Sequence, residues 1–162
     1  DLPLVMEIYD YARAFMRTTG NTTQWIDGYP SEALIRQEIE EGHSFVCTGE
    51  QGEIFGTFCF ILGEDPTYLQ IYEGAWLNDE PYGVIHRLAT NGKQKGVSGA
   101  CLDWCFERWP NVRVDTHRDN KVMQHILTKY GFQRCGIIYV KNGTERIAYQ
   151  MERVTDGTEK LV

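Results

Sequence analysis

VIHRLATNGKQKGVSGACLDWCFERW, residues Val84 to Trp109, is the stretch on which the fold turns. An apolar, β-branched run, read as a strand from Tyr82 to Ala89, leads into a short turn rich in Gly and Lys, and a helix pattern begins directly behind it. Strand, amide-rich turn and helix N-terminus together make a recipe for gripping an anion such as a phosphate. The first N–H groups of a helix have no intrahelical partner, and the helix dipole puts partial positive charge at that end. Gly96 and Gly99 let a ligand approach the backbone, and Lys93 and Lys95 add positive charge.

Before this stretch the pattern predicts two helices and two strands. Asp1-Leu2-Pro3 is a helix start, a capping Asp with Pro in the first turn. Leu2, Val5, Ile8, Ala12, Phe15 and Met16 recur at helical spacing to about Thr18. After a polar loop, Ser31 caps a second helix to about Glu41, with Leu34, Ile35 and Ile39 inward. His43–Thr48 and Glu53–Leu62 read as strands joined by a Gly-containing turn. The segment Gly63 to Pro81 sets Glu64, Asp65, Glu73, Asp79 and Glu80 among Tyr68, Tyr72 and Trp76. It is too long for a hairpin turn and too polar for a core strand, and loops of this kind are often functional.

Behind the central stretch, the helix faces inward through Val97, Ala100, Cys101, Trp104 and Cys105, and Pro110 ends it. Asn111–Thr116 is a strand, and Asp119 or Asn120 caps a fourth helix with Val122, Met123, Ile126, Leu127 and Tyr130 inward, closed by Gly131. Phe132–Val140 and Glu145–Met151 form a hairpin around Asn142-Gly143. The expectation is an α/β (α+β) chain, one sheet with helices on both faces: a single domain over residues 1–152 and a polar tail over 153–162.

Composition bounds what this can be. At 162 residues the chain can bury a core without staples, and its 42% hydrophobic and 24% charged content is that of a soluble globular protein. A formal charge of −7 argues against nucleic acid as a partner. No apolar run approaches the roughly 20 residues of a membrane span, and no signal peptide is visible, so a cytoplasmic location is expected. Asp1 in place of an initiating Met leads to the expectation of further sequence upstream. The five cysteines, Cys47, Cys59, Cys101, Cys105 and Cys135, sit in or beside apolar runs with no CxxC pair. They read as small buried hydrophobes, the alternative being a redox or nucleophilic cysteine. No metal site is expected.

With this element order, the chain resembles the GNAT superfamily of acyl-CoA-dependent N-acyltransferases over essentially residues 1 to 151. Such proteins usually begin with a strand before the first helix, so that first strand is expected to be absent from this sequence. The fold implied is a mixed, mostly antiparallel central sheet. The family motif Gln/Arg-x-x-Gly-x-Gly/Ala, which cradles the CoA pyrophosphate, maps onto Lys93-Gln94-Lys95-Gly96-Val97-Ser98, with departures at Lys93 and Ser98. A second match is Asn120, Met123, Ile126 and Lys129-x-Gly131-Phe132, which looks like the family's Asn-led helix; its Asn typically contacts the pantetheine arm. The family's usual Tyr, the acid for the leaving thiolate, falls on Leu127. Tyr130 lies three residues on and points about 60° away, so the acid role is not transferred to it.

The resemblance implies direct attack of a substrate amine on acetyl-CoA. Amides of Gln94, Lys95, Gly96, Val97, Ser98, Gly99 and Ala100 would grip the co-substrate, and an N–H near Leu88 or Ala89 would stabilise the developing oxyanion. For the ammonium proton the candidates are His86, His117 and Glu73. His86 also reads as a packed strand residue, His117 as a loop or cap residue, and Arg113 and Asp115 as a pair. Tyr72, Glu73 and Trp76 suit a cationic amine by charge and cation–π contact, against a solvated acidic loop with its aromatics tucked into the core. The function expected is acetyl transfer to a primary amine of a small molecule. A non-catalytic CoA-binding or regulatory domain is the rival, and a homodimer stays open.

Overall fold

Six runs rich in β-branched and aromatic residues become the strands, and the four amphipathic stretches become helices. The computed structural model describes residues 1–153. In chain order, α1 is Leu2–Thr18, α2 Glu32–Glu40, β1 Ser44–Thr48, β2 Ile54–Leu62, β3 Gly83–Thr90, α3 Val97–Arg108, β4 Asn111–Thr116, α4 Lys121–Tyr130, β5 Gln133–Tyr139 and β6 Glu145–Glu152. A single 3₁₀ turn, Pro66–Tyr68, interrupts the long segment between β2 and β3. The polar tail expected beyond Arg153 lies outside the described residues.

The strands form one sheet in the order β1-β2-β3-β4-β6-β5. Every pairing is antiparallel except β3 with β4. That parallel pair has only three rungs, Gly83–Val112, Val84–Arg113 and Ile85–Val114, although β3 runs on to Thr90 and β4 to Thr116. Past the third rung the two strands part, and a fork opens at their C-terminal ends. β3 is also bulged: Arg87 and Leu88 together oppose Phe58, and Arg87 has φ 53°. A non-glycine residue in the left-handed region is strained, and such strain collects where a chain re-aims its groups.

One face of the sheet packs on α3 and α4 through Phe58, Ile85, Leu88, Leu102, Cys105, Val112 and Leu127. The other face packs on α1 and α2 through Val5, Ile8, Tyr9, Trp25 and Ile35. Burying a leucine such as Leu102 or Leu127 contributes about 2 kcal/mol. The N-terminal helix starts at Leu2 as its sequence implies, with Asp1 as N-cap although its side chain makes no capping bond. Ser31 does cap α2, its Oγ accepting from the Leu34 N–H.

The inward faces differ from the sequence pattern on all four helices. On α1, Phe15 is 42% exposed and lines a cleft. On α2, Ile39 is 41% exposed while Glu38 is buried. Glu38 turns inward because Arg87 and the Cys59 thiol meet it there. On α4, Val122 is exposed and lines a cleft instead of the core. On α3, Ala100 is exposed, and Leu102 and Phe106 are buried with Cys101 and Cys105.

Of the aromatics in the segment from residue 63 to residue 82, Tyr68 is tucked into the core and Trp76 is half-buried, while Tyr72 is 46% exposed. Tyr68 and Tyr82 are buried with Val84, Ile138 and Ala148, on the α1–α2 side of the sheet. Arg113 is sandwiched between the rings of Trp76 and Tyr82, 4.1 and 3.9 Å from their centroids, and donates to the Asn78 carbonyl. The segment then bridges antiparallel to the outer edge of β5, Tyr72 pairing with Ile137. Gly74 and Gly136 permit this contact, since a Cβ on Gly74 would lie 1.9 Å from the Cys135 carbonyl oxygen. An otherwise open sheet edge is thereby covered.

Candidate active site

The loop between β3 and α3 supplies backbone donors. Gly96 caps α3 in the left-handed region, φ 79°, with open space where a Cβ would be. The N–H of Lys93 donates to Asn91 Oδ1 and that of Ala100 to the Gly96 carbonyl. Those of Lys95, Gly96, Ser98 and Gly99 have no hydrogen-bond partner among the described residues. Lys93, Gln94 and Lys95 are exposed beside them. Unpaired amides, a helix N-terminus and two cations make this the best anion cradle in the fold.

From Gly92 and Ser98 an apolar cleft of about 120 Å³ runs to the splayed end of β3. Leu88, Ala89 and Thr90 form one wall, Asn120, Met123 and Ile126 another, and Tyr11, Phe15 and Met16 of α1 the third. Asn120 is engaged twice: its Oδ1 caps α4 by accepting from the Met123 N–H, and its Nδ2 donates to Gln24 Oε1. A larger cavity of about 490 Å³ lies beyond the loop, between Gln94–Val97 and the β1–β2 turn. Its carboxylates Glu50 and Glu53 disfavour an anion, so the smaller cleft is the better continuation of the cradle.

At the fork the polar groups gather. His86 and Asp115 are the first residues past the last rung on β3 and β4. His86 Nε2 lies 3.3 Å from Asp65 Oδ2. Burial opposes ionisation of Asp65, but hydrogen bonds from His86 and Thr67 outweigh it and hold its carboxyl at about 2. Asp115 Oδ2 accepts from the Tyr68 hydroxyl at 2.7 Å. Burial raises the Asp115 carboxyl above its ordinary value, and Tyr68, His86 and Arg146 offset this only in part. A carboxylate-oriented imidazole beside a splayed strand is an arrangement able to take a proton from a bound amine.

The structure brings some of the expected residues together and separates others. Leu88, Ala89, Ser98, Asn120 and Met123 line one cleft, while His86, not among its lining residues, stands on the same strand just past the last β3–β4 rung. His117 is elsewhere engaged: its Nδ1 accepts from the Asp119 N–H at 3.0 Å, leaving Nε2 to donate to Thr23 Oγ1 at 3.1 Å. Burial, then the charge of Arg146, lowers its pKa, so it is a neutral loop clasp with both nitrogens committed. Glu73 is exposed between Tyr72 and Gly74 at the β5 edge, with β4 and β6 between it and His86. Tyr72 packs on Tyr139 at that edge, whereas Trp76 packs on Tyr68, whose hydroxyl reaches Asp115 at the fork, and over Arg113 of β4. Arg113 and Asp115 do not pair, one held by rings and the other by Tyr68. Leu127 is wholly buried, and the Tyr130 hydroxyl donates to Asp103 on α3.

No protein-family model matches the chain, and neither does any curated protein. Solved structures do. An acetyltransferase of the GNAT family from Streptococcus agalactiae is 33% identical, with a TM-score of 0.85 over 95% of this chain and 91% of the other. The chain belongs to the GNAT family of acetyltransferases. A GNAT acetyltransferase from Listeria monocytogenes, 22% identical, superposes with a TM-score of 0.65 over 94% of this chain and 91% of its own. The NatC complex bound to a Gag peptide and CoA shares the fold alone, at 12% identity and a TM-score of 0.57 over 91% and 92%.

Within this GNAT chain, sequence reasoning missed Tyr11 and Phe15 of the cleft and Asp65, Tyr68 and Arg146 near the fork. Tyr11 and Phe15 stand one turn apart on α1 and stack at 6.4 Å. With Ala12 and Met16 they make an apolar stripe wider than one buried face needs, a signal available from spacing alone.

Proposed function

We propose that the chain transfers an acetyl group from acetyl-CoA directly to a primary amine of a small molecule. The observation that carries this reading is the fork between β3 and β4, with an anion cradle and an apolar cleft leading to it and the His86–Asp65 pair at its crotch. The donors fit the co-substrate: unpaired amides of Lys95, Gly96, Ser98 and Gly99 with the Lys93 and Lys95 side chains suit its diphosphate, and the cleft lined by Leu88, Met123 and Phe15 suits its pantetheine arm. CoA in the NatC complex of the same fold is in accord. Acetyl-CoA supplies the activated thioester; the residues of the chain do the rest.

Backbone N–H groups at the bulge around Leu88 stabilise the charge that develops on the carbonyl oxygen. His86, oriented by the ionised Asp65, takes the proton from the attacking amine as the C–N bond forms and the C–S bond breaks. Leu127, which stands at the position of the family's tyrosine, is sealed in the core and has no proton to give. The thiolate therefore leaves unassisted, which the acidity of a thiol tolerates. That same aliphatic Leu127 favours a second reading, a CoA-binding domain without turnover. A cytoplasmic location belongs to the proposal, and the five free cysteines support it.

Calorimetric titration with CoA, followed by thiol release from acetyl-CoA across a panel of amines, tests the reading. Affinity together with thiol release supports it. Affinity without release from any amine turns the assignment to the second reading, and absence of affinity overturns both.

A further inference from the structure

A buried arginine near the fork lacks what its fellows have. Arg87 is ion-paired with Glu38, and Arg113 is stacked between Trp76 and Tyr82. Arg146, only 6% exposed, has neither a carboxylate within 4 Å nor a ring over its guanidinium among the described residues. Its Nη1 donates to two neutral oxygens, Thr144 Oγ1 at 3.0 Å and the Glu145 carbonyl at 2.9 Å. Its Nε and Nη2 have no partner among the described residues, yet they are not among the solvent-sealed unsatisfied atoms. Its charged head therefore keeps some contact with solvent.

Placement makes that head relevant. Ala148 of β6 pairs with Asp115 of β4, so Arg146, two residues away, lies on the same sheet face as Asp115. The strand spacing sets the Cα atoms of Asp115 and Arg146 about 8 Å apart. The guanidinium is close enough for its charge to act on Asp115 and on His117, and to feel Tyr29. Asp115 does not neutralise it, being held by Tyr68. One end of this face thus offers anionic oxygens and an imidazole, and the other an unpaired planar fork of N–H donors. A guanidinium matches a carboxylate in two parallel hydrogen bonds.

We propose that the amine accepted at this site carries a carboxylate, Arg146 binding the carboxylate while the amine faces His86 and Asp115. The acceptor class is thereby an amino acid. This rests on the acetyltransferase reading above and names the substrate class of the same site.

The test is steady-state acetyl transfer to matched sets: an amino acid, its carboxamide, and the amine lacking the carbonyl group altogether. In the unsubstituted protein the amino acid is expected to win in kcat/KM by about tenfold or more, chiefly through KM. Arg146→Gln should erase that preference, and Arg146→Lys should keep part of it, with CoA affinity by calorimetry confirming that each variant is folded. Equal use of all three acceptors, or a preference that survives Arg146→Gln, overturns this inference and leaves acetyl transfer standing. If Arg146→Gln does not fold, the ranking by the unsubstituted protein decides alone. Absence of turnover with every amine, despite bound CoA, overturns this inference and the acetyltransferase reading together.

Discussion

Glu38 of α2 and Arg87 of β3 form an ion pair inside the protein, their side chains 11% and 8% exposed. Arg87 also donates to the Tyr29 hydroxyl at 2.7 Å. The pair joins the helix that frames one side of the molecule to the bulge that turns the end of β3 into the cleft. Burial works against the charge on Arg87, but Tyr29 and Glu38 outweigh it and keep the guanidinium ionised.

Removing one partner leaves the other charge buried and alone. Arg87→Gln and Glu38→Gln are each expected to destabilise the protein by about 3–5 kcal/mol in urea unfolding. A loss below about 1 kcal/mol, the range of an exposed pair, would contradict the burial described.

Gly96 adopts a conformation that costs an L-residue about 1–2 kcal/mol. Nothing lies within 4 Å of a Cβ built there, so Gly96→Ala is expected to cost that strain without a clash. The substitution should also disturb the amides on either side, so calorimetry should show weaker CoA binding. Lys93→Ala with Lys95→Ala should weaken binding most at low salt, where the charges are least screened.

His86→Gln should lower kcat by about 10²–10⁴-fold, the range of general-base catalysis, with CoA affinity kept. Because Leu127 supplies no acid, kcat/KM should rise with pH and level off without an alkaline fall up to about pH 9. A descending limb in that range would point to a proton donor elsewhere in the site.

Asp65 gives a pH dependence of stability whose sign follows from its lowered carboxyl pKa. Held at about 2 against an ordinary 3.8, it releases its proton more readily folded than unfolded. Its contribution is therefore present above about pH 4 and fades as the pH falls toward 2. The stability gap between the unsubstituted protein and Asp65→Asn, read by urea unfolding, should be constant from pH 5 to 7 and shrink below 4.

How much of this could be read from residues alone depended on how far each interaction reaches. The β3–turn–α3 unit and the strand Asn111–Thr116 were legible, since periodicity and turn chemistry act within a few residues. Glu38 was not: its helix pattern pointed Ile39 inward, and Arg87 and Cys59, 49 and 21 positions away, explain the exchange. Tyr72, Glu73 and Trp76 had the composition of a binding loop and of a solvated acidic loop alike, and no local pattern announces that Tyr72 pairs with Ile137 at the β5 edge. Asp65, Asp115 and Arg146 come from three separate elements, and no local pattern announces that β6 lies beside β4.

Since β3 and β4 share only three rungs, the six strands amount to two blades meeting along a short seam. Residues 63–82 lace across it, leaving β2 on one blade and docking against β5 on the other. A molecule seated in the gap would rivet both blades at once. The opening is made by halting a ladder rather than by hollowing out an interior, so a change that added a fourth rung would shut it.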